Sequence, residues 1–239
     1  DVGCAYMSLD GLSLAYQMMP SPALRELLEE MIEQFQTIDF IQLSMQTHAT
    51  LSALRGLLRF YSIVGEKSYL DFAKRLFDLY QQHGMTANYA NYNWFDRPEW
   101  TEPCAIIDSY MVAMELFRLT DEISYFELAQ NIYFNGICEA QRSNGGFGCD
   151  ICVGVDSSML RTLDYGTENG VATDAYWCCT MRGGEGLAEV SRSIAMRKDN
   201  VLYFCFYTPS RIQTDNQEIV LSTRYPYEGH VELKVFAKE

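Results

Sequence analysis

The chain has 239 residues, of which 48% are hydrophobic, 13% aromatic and 21% charged, a balance that suits a folded domain and excludes an intrinsically disordered one. Its formal net charge of −14 excludes nucleic acid and anionic membrane as partners, because both demand a basic surface. No apolar run reaches the roughly 18 residues a membrane helix needs, and the opening Asp1, with neither methionine nor signal peptide, reads as a truncated start.

Apolar residues recur at helical spacing over 11–19, 22–37, 41–64, 67–82, 104–118 and 122–141. Ser21-Pro22 starts a helix well, since serine caps and proline is tolerated in the first turn. Gly65 and Gly84 suit helix ends. Two junctions repeat without gaps, "FYSIVGEKSYLDFAKRLF" (60–77) and "LFRLTDEISYFELAQNIY" (116–133), sharing Glu-x-Ser-Tyr and a following alanine. Each reads as one helix ending, an acidic turn, and Ser-Tyr opening the next. Such hairpins bury their apolar faces only by stacking on neighbours, which points to a solenoid or an α/α toroid.

After Arg142 the helical period stops, and 142–177 is a glycine-rich, polar segment long enough to be functional. A last helix is predicted over 184–196, followed by strands at 201–207, 218–225 and 230–237. The domain reading is therefore helical from 1 to 198 with a β domain beginning at 199, which Glu239 cuts short.

Eight cysteines are too few for a small disulfide scaffold, and four of them cluster at 149, 152, 178 and 179. Cys178 and Cys179 cannot easily bond to each other, because the ring they would close strains the peptide and the S–S torsion. Two thiolates facing one cation is the easier use, and tetrahedral zinc then asks for two more ligands. "WTEPCAIIDSY" (100–110) offers Glu102 and Cys104, which Pro103 holds in an extended start where residues i and i+2 face one way. Cys149-x-x-Cys152 offers a competing half-site, and spacing does not choose between the two. Buried cysteines acting as small hydrophobes are the plainer alternative, above all at Cys4, Cys138 and Cys205.

His48 stands alone in a helix of apolar and small residues and reads first as a core histidine. His83 beside Gly84 reads as a C-terminal capping cation. The segment "NYANYNWFDRPEW" (88–100) crowds Tyr92, Trp94, Asp96 and Glu99 together, and aromatic faces with carboxylates between them suit sugars. The same loop could equally pack its aromatics on itself.

Taken together, Glu102-x-Cys104 opening a helix, "NIYFNGICEAQRSNGGFGCD" (131–150), Trp177-Cys178-Cys179, "DNVLYFCFY" (199–207) and "STRYPYEGHVELKV" (222–235) resemble glycoside hydrolase family 127, the β-L-arabinofuranosidase-like proteins once called DUF1680. The resemblance spans most of the chain from His48 onward. It implies an (α/α)6 toroid followed by a β-sandwich, zinc held by Glu102, Cys104, Cys178 and Cys179, and Cys178 as nucleophile of a retaining glycosidase. It also implies a sugar-contacting role for His48 and leaves Cys149 and Cys152 as bystanders or lip residues, while Tyr92, Trp94 and Trp177 are expected as substrate contacts on their aromatic character alone. About seven helices are visible where that toroid has twelve.

The chain departs from the family pattern in two places. The family's Gly-Glu-[Ser/Ala]-Phe segment, which carries its acid/base glutamate, has no counterpart in "HGMTANYANYNWFDRP" (83–98), so Asp96 and Glu99 are the nearest candidates for acid/base. The family's Pro-Pro-Asn after the cysteine pair is replaced by Thr180-Met181-Arg182-Gly183-Gly184. A carbohydrate is the expected partner either way, cleaved by an enzyme or bound by a non-catalytic zinc-stabilised toroid. A third reading is a purely structural zinc loop built on Cys149, Cys152, Cys178 and Cys179, which predicts Glu102 and Cys104 far from Cys178.

Overall fold

The computed structural model describes Cys4 and residues 6–152, 161–162, 175–199 and 201–238. Most of the chain is helical, with small antiparallel sheets. It divides into two compact units, Asp1–Gly186 and Leu187–Glu239.

The first unit is a stack of helical hairpins. Its helices are α1 (Ser8–Met18), α2 (Pro22–Gln36), α3 (Thr47–Val64), α4 (Lys67–His83), α5 (Pro103–Thr120), α6 (Ile123–Asn131), α7 (Cys138–Ala140) and the start of α8 (Trp177–Ser193). Helices α1, α3 and α5 pack side by side, and α2, α4 and α6 pair with them in turn. Helices α3 and α5 are buried over most of their surface, as α5 shows from Pro103 to Tyr110, while α1 buries only Leu9, Ser13 and Tyr16. The partner helices bury one stripe, Leu28, Ile32 and Phe35 in α2 and Ala73, Leu76, Phe77 and Tyr80 in α4. Ser21 caps α2 by accepting from the Leu24 N–H. Gly56 lets α3 touch α1 directly, because a Cβ there would run into the backbone of Leu9 and Asp10. No described helix is long and apolar enough to cross a membrane.

The repeated junctions share one backbone. After α3, Gly65 is left-handed (φ 74°, ψ 13°) and Glu66 is extended (φ −74°, ψ 106°); after α5, Asp121 (φ 59°, ψ 15°) and Glu122 (φ −77°, ψ 110°) do the same. The helix read as 122–141 contains a π turn at Ile132–Ile137 between α6 and α7.

Two predicted boundaries move. The segment 41–64 becomes helical only at Thr47, because Gln46 is extended and bridges Trp94 while Ser44 has φ 43°. The last helix starts at Trp177 and ends at Ser193, not 184–196. Within 142–177, β1 (Asp150–Ile151) pairs antiparallel with β2 (Arg161–Thr162), and the rest of that segment from 153 lies largely outside the described residues.

In the second unit β3 (Ala195–Lys198) and β4 (Val201–Phe204) form a hairpin, and β5 (Ser210–Gln213), β6 (Gln217–Thr223) and β7 (Val231–Ala237) form an antiparallel sheet. The predicted strand 201–207 ends at Phe204, where pairing with β3 stops, and β3 and β5 were not anticipated. Ile219 and Leu221 bury one face of β6, while β7 is largely exposed.

Candidate functional site

Three helices begin at one place. His48 lies in the first turn of α3, Glu102 and Cys104 at the start of α5, and Cys178 and Cys179 in the first turn of α8. The Sγ of Cys179 lies 3.8 Å from that of Cys104, 3.9 Å from Cys178 and 3.9 Å from Cys149. The ligand atoms of Cys104, Cys178 and Cys179 lie within 4.8 Å of one another, as do those of His48, Glu102 and Cys104. The positive ends of three helix dipoles favour negative charge at this point.

Pro103 at the first position of α5 leaves Glu102 extended (φ −134°, ψ 112°), so Glu102 and Cys104 face the cluster together. A narrow layer of extended chain backs it. The Asn93 N–H donates to the Trp100 carbonyl (2.9 Å), the Thr101 N–H to the Asp150 carbonyl (2.8 Å), and Trp100 bridges Ile151. Asn91 Oδ1 accepts from the Glu102 N–H at 2.9 Å, and Gln46 Nε2 donates to the Glu102 carboxylate at 3.3 Å. The Asn93 amide, turned to satisfy both neighbours, donates to Glu102 and accepts from Trp94 Nε1 at 3.1 Å.

The charges in this pocket are shifted as their surroundings require. Burial pushes Glu102 up to about 7, against the opposing pull of His48. Hydrogen bonds from Cys104 and Cys149 hold the Cys179 thiol below its ordinary value and favour its thiolate over those of its neighbours. Burial and that neighbouring thiolate push Cys178 up to about 11, and the hydrogen bond to Cys179 with burial raises Cys104.

Below the cluster lies a polar hub that the sequence did not reveal. Asp108, fully buried in α5, accepts from Ser52 Oγ (2.8 Å) and Arg55 (2.9 Å), meets His48 Nδ1 at 2.7 Å and pairs with Arg182 at 3.2 Å. Burial opposes its charge, yet these partners outweigh burial and hold it at about 2. Burial also opposes a charged His48, and Asp108 outweighs it there too, so His48 lies above its ordinary value. Glu185 closes the network by pairing with Arg182 and with Arg55 at 3.4 Å. The available signal was composition, since Asp108 is the one charged residue of α5 before Glu115 and Arg55 interrupts the apolar run of α3.

The remaining candidates are placed as follows. Asp96 Oδ1 meets His83 Nδ1 at 2.8 Å on the surface, and Glu99 is paired with Arg97 at 2.6 Å. Arg97 also covers the Trp94 ring at 5.7 Å. Trp177, beside Cys178, is 69% exposed. Tyr92 and Cys152 line a cavity away from the sulfurs, whereas Cys149 is buried against Cys179. Cys4 and Cys138 are exposed, unlike the apolar setting expected for them, and Cys205 is buried. All eight cysteines are free thiols.

No protein-family model matches the chain, and no curated protein matches it in sequence. Its fold does match solved structures. A protein described as a glycoside hydrolase superposes with a TM-score of 0.72 at 16% identity, over 95% of this chain and 45% of that one. A GH127 β-arabinofuranosidase gives 0.70 at 15% identity over 95% and 39%, and the GH127 β-L-arabinofuranosidase of Geobacillus stearothermophilus T6 gives 0.60 at 18% over 81% and 34%. The chain spans less than half the length of each. At these identities the likeness establishes a shared fold.

Proposed function

We propose that the chain carries the centre of a zinc-dependent retaining glycosidase of the β-L-arabinofuranosidase type, acting on plant-type or glycoprotein glycans. Zinc is held by Glu102, Cys104, Cys178 and Cys179, and Cys178 is the nucleophile. The hairpins belong to an (α/α)6 toroid over 1–198, with a β-sandwich beginning at 199. The observation that carries this reading is the convergence of Cys104 and Cys179, 3.8 Å apart across 75 positions of chain, with buried Glu102 beside them. One carboxylate and three sulfurs suit a tetrahedral, borderline-soft cation, and elevated protonation at Glu102, Cys104 and Cys178 is what such a cation would reverse. The shared fold with glycoside hydrolases supports it further.

When bound, zinc supplies the positive charge that keeps its thiolates deprotonated. Cys178 is the more exposed of the paired sulfurs. It attacks the anomeric carbon, so an S–C bond forms as the C–O bond to the leaving group breaks. The leaving oxygen takes a proton from a carboxylic acid, for which Asp96 and Glu99 stand as candidates. Water then attacks the same carbon, returns a proton to that carboxylate and frees Cys178, and two inversions retain configuration. Asp108 holds His48 by Nδ1, so Nε2 is the nitrogen that meets a sugar hydroxyl. Trp177 and Trp94 offer ring faces.

The ion pairs of Asp96 with His83 and Glu99 with Arg97 favour a second reading, a non-catalytic zinc-stabilised toroid that binds carbohydrate. Metal content and hydrolysis of an aryl β-L-arabinofuranoside, measured under reducing conditions on the wild type, Glu102→Ala and Cys149→Ala, separate the readings. One zinc per chain, lost with Glu102→Ala and kept with Cys149→Ala, together with hydrolysis, is the expected result. Zinc without hydrolysis selects the binding protein. Zinc lost only with Cys149→Ala, or never present, overturns both.

A further inference from the structure

We propose that the cavity on the far side of the layer backing the cysteine cluster is a second binding site, for one neutral sugar ring. The layer alternates as extended chain must. Asn91, Asn93 and Glu102 turn their side chains toward the cluster, while Tyr92, Thr101 and Asp150 line a cavity of about 590 Å³. That volume falls in the range of small-molecule sites, roughly 300–1,000 Å³. None of the sulfurs at 104, 178 and 179 lines it, so the site is independent of the zinc chemistry proposed above.

Two unfavourable backbone features frame the cavity and lock against each other. The π turn Ile132–Ile137 forms one wall through Asn135 and Gly136, and such turns collect at functional sites because an ordinary helix has no need of them. Facing it, Tyr89 holds a left-handed φ of 63°, costly for a bulky aromatic residue. The two touch so closely that a Cβ on Gly136 would lie 2.6 Å from the Tyr89 carbonyl oxygen. Strain of this kind persists where the surroundings over-determine it, and the residues on either side of Tyr89, Asn88 and Ala90, line the cavity.

The lining selects the ligand. Among the described lining residues Tyr92 is the one aromatic, suited to the apolar C–H face of one ring, and Asn88 and Asn135 contribute amides. Arg142 and Asp150 form an ion pair at 2.8 Å, presenting donor and acceptor side by side without net charge. Glu139 then leaves the lining negative, which disfavours phosphates and carboxylates and leaves a neutral hydroxylated ring as the fitting class.

The test is titration of the intact chain with methyl glycosides of L-arabinose and D-galactose, and with glucose 6-phosphate, followed by saturation-transfer NMR and calorimetry. A neutral glycoside should bind saturably, and the sugar phosphate should bind at least about tenfold more weakly. Tyr92→Phe should keep the affinity, and Tyr92→Ala should weaken it by about tenfold or more through loss of the stacked ring. Cys178→Ala should leave it unchanged. If Tyr92→Ala does not fold, the exposed-site change Asn135→Leu must weaken binding in its place. Absence of saturable binding by any neutral glycoside overturns the proposal, and so does binding that Cys178→Ala abolishes while Tyr92→Ala or Asn135→Leu leaves it intact.

Discussion

Asp108 has no solvent of its own, so its charge is tolerable only because four partners replace water. Ser52 and His48 come from one face of α3, one turn apart, Arg55 from the next turn, and Arg182 from α8. Asp108→Asn keeps the shape but leaves two guanidiniums and His48 facing a neutral amide, and a loss of about 3–5 kcal/mol is expected from breaking a buried ionic group on one side. The pH dependence follows from the two shifts. Asp108 is depressed from 3.8 to about 2, so its stabilisation is present above 3.8 and fades as pH falls toward 2. His48 is raised from 6.5, so its share is complete below 6.5 and is lost as pH rises through its folded value. The gap between the urea midpoints of the wild type and Asp108→Asn should therefore be widest between those limits, close as pH falls toward 2, and narrow only by the His48 share at high pH, where Arg55 and Arg182 still pair with Asp108. A gap independent of pH would mean that Asp108 acts through packing alone. Single residues of this sort were visible in the sequence only as isolated charges in apolar helices, since their meaning depends on three helices meeting.

Glycine explains why one element was misplaced and another found. The run Gly183, Gly184 and Gly186 reads as a loop, which delayed the predicted start of α8 by seven residues relative to Trp177. Inside the helix two of these glycines are there for close approach, because a Cβ on Gly183 would enter the Phe147 ring and one on Gly186 would lie 2.7 Å from Ile107. The repeated junctions were legible because there the glycine and acidic residues act locally. At the turn itself Gly65 in one junction answers Asp121 in the other, both left-handed, a conformation that costs a non-glycine residue about 1–2 kcal/mol. Asp121→Gly should thus raise the thermal midpoint by an amount equivalent to about 1 kcal/mol. Gly56→Ala should do the reverse and by more, about 3 kcal/mol, because α1 and α3 must part to admit the methyl group. Gly184→Ala, with open space around it, should stabilise the helix by about 0.5–1 kcal/mol. Thermal unfolding of the three variants beside the wild type orders these effects, and a harmless Gly56→Ala would contradict the contact.

At the scale of the whole molecule, helical periodicity was enough to foresee stacked hairpins, because each amphipathic helix states locally which face it must bury. The meeting of Cys104 with Cys179 was not derivable that way, since it depends on how far the inner helices turn about one another. Zinc, if held there, ties that meeting to the stability of the native chain, since the unfolded chain cannot assemble the four ligands. Metal at about a thousandfold above its Kd would add about 4 kcal/mol. The pH dependence distinguishes this site from a surface one. In the stripped protein the Glu102 carboxyl favours its proton up to about 7, so the folded state binds more protons than the unfolded one above 4.5, and stability falls as pH rises across that interval. With metal bound the same group must be ionised, so the metal's contribution grows as protons become scarce. The thermal midpoints of zinc-loaded and chelator-treated protein, both reduced, should therefore draw apart between pH 5 and 8 by an amount equivalent to a few kcal/mol. Glu102→Gln, which has no proton to lose, should make that divergence shallower by the Glu102 share and leave the share of the Cys104 and Cys178 thiols. A separation that stays constant with pH, or that survives Glu102→Gln in full, would remove Glu102 from the ligand set and with it the arrangement on which the glycosidase reading stands.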